Sequence, residues 1–274
     1  MRLARVVAAT LVLIPASVWA QAPDANAVLR GAGVQAPRGG AEAAFDAGLT
    51  GPAPVPPGAF GLLVVGMGPV GDAARVRNAY AFGVLAGRSA RHVPASELMG
   101  AGVALLQMIV SDDRGSRIAG CRVAGRAFAT PVDGAPPPVR PAGLAEAIVL
   151  QLNQANGAEQ AAAMEALGLL GETSVVPALT DTYQRARARN DRRMAGSALE
   201  ALARIGDPSS AALVEALAQD SWGDRDDATG LVVAFARERY LKDGSRRRLE
   251  AAAAHRSLGP GARAYLAELA APPP

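Results

Sequence analysis

Residues 164–179, MEALGLLGETSVVPAL, return 35 positions later, from Leu199, as LEALARIGDPSSAAL. Leu167 thereby maps on Leu202, Leu170 on Ile205 and Gly171 on Gly206. A unit of this size cannot bury its own apolar face, so copies must stack and share one elongated core. That restricts the chain to a repeat architecture before any other feature is weighed.

Composition decides what the repeating element is. Hydrophobic residues make up 50% of the chain but aromatics only 4%, and the apolar weight lies in Ala and Leu. Such side chains suit closely packed helices better than a sheet, which draws on β-branched and aromatic residues. The expectation is an all-α protein, an α-solenoid of about five or six helix pairs.

The first twenty residues stand apart from the repeats. Arg2 and Arg5 give a positive start, residues 6–14 form an apolar run, and Val18 and Ala20 place small residues ahead of Gln21, as in a cleavable export signal. The run is shorter than the roughly 20 residues a spanning helix needs, and no cysteine follows it for lipid attachment. The reading is a signal peptide over 1–20, a periplasmic or secreted protein, and no stable membrane insertion after cleavage. Losing Arg2 and Arg5 from 28 basic residues leaves 26 against 25 acidic ones. So small a net charge argues against nucleic acid as a partner. Cys121 is the sole cysteine, so no internal disulfide forms, and it reads as a small buried side chain on a helix.

Residues 21–58 are rich in Ala, Gly and Pro and end in GPAPVPPG. They read as a disordered low-complexity linker with one short helix around 41–47. Residues 59–270 form the solenoid, with a proline-rich surface loop over 130–141, and 271–274 a disordered tail. Within the solenoid a small residue recurs after paired apolar ones: Gly83, Gly125, Gly168 and Ala203, at spacings of 42, 43 and 35. A small side chain there lets one helix backbone approach the next. Several units open with an acid followed five residues on by arginine: Asp72 and Arg77, Asp112 and Arg117, Asp220 and Arg225, Asp243 and Arg248. The acid suits a helix N-terminus, and the arginine reaches the neighbouring repeat's acid.

Asp72 with Val76-Arg77 and AYAFGVLAG, then MEALGLLG, LEALARIGD and Val176-Pro177-Ala178-Leu179, resemble HEAT repeats, in particular the short PBS-lyase-like variety. The likeness covers about residues 60–270 and is most specific at 72–87 and 159–217. It implies a solenoid in which the second helix of each pair lines a concave face, and a protein-interaction scaffold. The second unit departs from the pattern at Arg126, where leucine or valine is expected.

Other motifs resolve into structure. Gly66-Met67-Gly68-Pro69-Val70-Gly71 fits a dinucleotide fingerprint, but Pro69 removes an amide, no acid follows about 20 residues on, and no strand–helix alternation continues. It reads as the turn between a first helix and the helix after Asp72. His92 and His255 lack a ligand pattern, and the paired His-Glu dipeptides of iron-binding HEAT enzymes do not occur. Asp112, Asp113, Asp224, Asp226 and Asp227 lack the spacing of a calcium loop. Arg185, Arg187, Arg189, Arg192 and Arg193 read as a solvated loop between helices. No cofactor is expected.

The functional expectation is an exported, non-catalytic scaffold or adaptor binding another protein of the cell envelope. The alternative is an enzyme, or an enzyme's accessory subunit, using the groove for a small molecule or glycan. The expected contact is a stripe on the second helices: Tyr80, Arg122, Glu165 and Glu200, three residues before the aligned small position, with Arg126 and Arg204 just after it. These positions lie four apart on one helical face, whereas Phe82, Leu167, Leu202, Leu85, Leu170 and Ile205 point into the core. Tyr80 and the arginines are the expected anchors.

Overall fold

A computed structural model describes residues 23–271 except 52, 69–70, 88–89, 132–134, 219–226, 256–257 and 259. The expected signal over 1–20, Asp220, Asp224, Arg225, Asp226 and nearly all of the tail lie outside the described residues. The helices run in order α1 (Ala25–Gly31), α2 (Gly40–Asp46), α3 (Ala59–Gly66), α4 (Asp72–Ala86), α5 (Ala95–Ile109), α6 (Arg114–Ala127) and α7 (Leu144–Gln154). They continue as α8 (Gly157–Leu170), α9 (Val176–Ala188), α10 (Arg192–Ile205), α11 (Ala211–Ala218), α12 (Ala228–Leu241), α13 (Arg246–Ala253) and α14 (Pro260–Ala270). No strand occurs among the described residues.

From α3 onward, consecutive helices pack as antiparallel pairs, and the second members α4, α6, α8, α10 and α12 lie side by side in chain order. The result is the expected α-solenoid. The aligned small residues explain its tightness: a Cβ on Gly125 would lie 2.5 Å from the Ala166 Cα, and one on Gly168 2.8 Å from the Ala201 Cα. Backbone meets backbone where a larger side chain would hold the helices apart. Gly171 and Gly206, the repeated glycines, end α8 and α10 at φ +65° and +71°. That left-handed conformation closes a helix C-terminus and strains any residue bearing a Cβ. Phe82, Leu85, Leu167, Leu170 and Leu202 are buried as expected, and Ile205 packs partly buried on the same core.

The disordered linker expected over 21–58 is corrected from residue 24 onward. The helix expected around 41–47 is α2, and α1 precedes it; both pack on α4. Leu29 and Phe45 are fully buried, and burying such side chains contributes roughly 1.5–3 kcal/mol each. Two well-placed apolar residues suffice here, and Gly39 and Gly40, at φ +110° and +73°, turn the chain into α2 rather than loosening it.

The acid–arginine pattern holds in part. Asp113, not Asp112, caps α6, its Oδ2 accepting the Ser116 amide at 2.6 Å, while Asp72 lies within the first turn of α4 and pairs with Arg75. Arg117 does reach the next repeat, donating from Nε to Glu159 Oε1 at 2.7 Å. Leu62 to Val65, the apolar run before the glycines, belongs to α3, the expected first helix.

Candidate binding groove

The second helices place their polar stripe on a shared concave face. A groove of about 860 Å³ runs across α6, α8 and α10, closed at one end by α2 through Asp46 and at the other by α14 through Tyr265 and Glu268. Its floor is alanine, with Ala158, Ala161 and Ala162 from α8 and Ala201 from α10. Small side chains at these positions are what the close helix approach requires, and they leave room above.

Five of the six stripe residues line this groove: Arg122, Arg126, Glu165, Glu200 and Arg204. Tyr80 does not, and its expected role as an exposed anchor is corrected. It is 2% exposed, with its ring 5.1 Å from Phe45, because α2 folds over α4 where the sequence suggested a free linker.

At the α2 end, Arg122 Nη1 lies 2.8 Å from Asp46 Oδ1 and its Nε 3.4 Å from Glu165 Oε2. Burial alone would lower the Arg122 pKa, but the Glu165 carboxylate, with Tyr80 and Asp46, holds it above the usual arginine value. One turn on, the Arg126 guanidinium lies 3.6 Å over the Phe45 ring and donates from Nη1 to the Phe45 carbonyl at 3.0 Å. Burial pushes its pKa down to about 10, with Glu165 offsetting part of the effect.

The α14 end is a closed network. Arg204 donates from Nε to Glu200 Oε1 at 2.8 Å and from Nη1 to Glu268 Oε1 at 2.7 Å, and only 12% of its side chain is exposed. The Tyr265 hydroxyl donates to Glu200 Oε2 at 2.6 Å. Burial first, and Glu200 second, hold that hydroxyl above its ordinary pKa.

The lining thus carries four arginines and four carboxylates, with every carboxylate committed to Arg122 or Arg204. Neither histidine nor cysteine lines it. Cys121 is buried within α6, which pushes its thiol up to about 12 and removes the thiolate that reactivity needs. The His92 Nε2 sits 2.7 Å from the Leu85 carbonyl. Among the described residues, no three His, Cys, Asp or Glu side chains gather as metal ligands would.

Sequence reasoning missed Asp46, Arg193, Tyr265 and Glu268. Arg193 belongs to the cluster read as a solvated loop; Arg185 and Arg187 instead end α9, and Arg192 and Arg193 begin α10. Only helix boundaries could have revealed that. Tyr265 and Glu268 had no signal, since α14 departs from the leucine pattern and reaches α10 across some 65 residues of chain.

No curated protein matches the chain. Residues 145–231, from α7 into the first turn of α12, match the family model for HEAT repeats, so the middle of this solenoid is similar to HEAT repeats.

Proposed function

We propose that the chain is a non-catalytic scaffold or adaptor that binds a segment of another protein in the groove between α2 and α14. The observation carrying this reading is the lining itself: an alanine floor in a groove of about 860 Å³, flanked by charges already fixed in ion pairs. Fixed, partly desolvated charges give orientation and specificity to a docked chain, and HEAT repeats commonly serve as protein-interaction scaffolds. The positive start, apolar run and small residues of 1–20 support export, with a partner in the cell envelope. Among the described residues no helix is long and apolar enough to cross a membrane.

The test is affinity capture from envelope extract with the full chain. Ala161→Trp fills the half-buried floor of α8, whereas Leu150→Ser alters an exposed residue of α7. Capture lost in the first variant and kept in the second, with both retaining wild-type circular dichroism, is the expected outcome. Equal capture by both sinks the groove reading. The intact mass of the recovered protein should lack residues 1–20, and a full-length mass would refute signal cleavage.

A further inference from the structure

Charge in the groove does not cancel pairwise. Arg122 and Arg204 each hold two carboxylates. Arg126 and Arg193 line the same groove and have no carboxylate partner among the described residues. Arg126 is fixed by the Phe45 ring and one bond to the Phe45 carbonyl, which uses one of its five N–H donors. Arg126 is half-buried, and none of its other donors is buried without a partner, so they stay open to an anion in the groove. Burial first, and the neighbouring Arg122 charge after Glu165 has offset part of that effect, lower its pKa.

The second arginine sets a length. Arg126 lies in the last turn of α6 and Arg193 in the first turn of α10, two helices further along the stack. With neighbouring axes about 9 Å apart and a rise of about 1.5 Å per residue, the two lie roughly 25 Å apart, the reach of about seven extended residues.

We propose that the groove takes an extended acidic polypeptide segment, with one carboxylate on the Arg126 guanidinium and a second, about seven residues away, on Arg193. The inference rests on the groove being a protein-binding surface and names the chemistry of the partner. A carboxylate matches the planar donor fork of arginine in a way a neutral amide does not. The lining has one aromatic ring, Tyr265, and the Arg204 guanidinium already lies 5.9 Å from its centroid, which disfavours it as a platform for a sugar ring. Residues 1–22 of this chain carry two arginines and no acid, so they do not suit the site.

Fluorescence anisotropy of the full chain tests this with a labelled ten-residue Ser/Ala peptide bearing Glu at positions 2 and 9, against the same peptide with Gln. The Glu peptide should bind, with affinity falling as salt rises, and the Gln peptide should bind about tenfold more weakly. Arg126→Gln and Arg193→Gln should each weaken binding about fivefold or more, with Arg126→Lys intermediate. Arg193 is exposed, so its variant reports on binding even if an Arg126 variant is destabilised. Equal affinity for both peptides, no effect of Arg193→Gln, or displacement of the Glu peptide by a stoichiometric anionic oligosaccharide overturns the proposal. Groove-dependent capture of an envelope partner that the Glu peptide cannot displace overturns the acidic segment and leaves the scaffold reading standing. Glu-selective peptide binding without groove-dependent capture supports the acidic segment as the groove's ligand and removes only the envelope partner from the scaffold reading.

Discussion

Arg122 and Arg126 stand one turn apart on α6, both over the Phe45 ring at 5.1 and 3.6 Å, yet they sit in opposite electrostatic situations. Arg122→Met would strand Asp46 and Glu165 and should cost about 1 kcal/mol, since both acids are partly solvated. Arg126→Met removes a charge burial already disfavours and should change stability by less than about 0.5 kcal/mol or raise it. Urea denaturation checks both; a larger loss in the Arg126 variant would mean its contacts with Phe45 outweigh its desolvation. Cys121 gives a pH dependence. Its folded pKa is raised, from the ordinary 9.0 to about 12, so its contribution is fully present below pH 9 and is lost as pH rises toward 12. Over that window wild type should lose up to about 1.4 kcal/mol per pH unit from this group, and Cys121→Ala should show a shallower decline. Identical slopes would show that the thiol is not held protonated. At this scale the sequence was partly legible: the helical spacing placed Arg122, Glu165, Glu200 and Arg204 on one face. Tyr80 fits the same spacing but is covered by α2, a helix the sequence placed but whose packing on α4 no local pattern announced.

Helices α8 and α10 show why the repeat was readable. Gly168, Gly171 and Gly206 each answer a local steric demand, so they recur in register, and so do the leucines beneath them. Glycine is not equivalent everywhere, however. A Cβ on Gly125 would meet the Ala166 backbone, whereas one on Gly196 meets nothing within 4 Å. Gly125→Ala should therefore cost about 1–3 kcal/mol by forcing α6 from α8. Gly196→Ala, within α10, should stabilise by about 0.5–1 kcal/mol. Thermal melts of the two variants should move in opposite directions, and a shared direction would contradict the helix register. The elements the sequence obscured are α1 and α14, together with the packing of α2 on α4; their apolar residues are too few for a period and take their meaning only from the helices they meet.

As a whole molecule, the solenoid is closed on its concave side by both ends of the described chain, α2 through Asp46 and Phe45, and α14 through Tyr265 and Glu268. The opposite layer exposes Leu62, Met99, Val103 and Leu150 on α3, α5 and α7, a competing surface that the groove account excludes as the principal contact. Photo-crosslinking in the producing cell separates the two faces directly. A benzophenone side chain is placed in turn at Ala161 and Ser197 in the groove and at Met99 and Leu150 on the outer layer. With the groove as the contact, both groove positions should yield a discrete crosslinked partner and the outer pair none; a partner captured from Met99 or Leu150 and absent from Ala161 and Ser197 would place the contact on the outer layer instead.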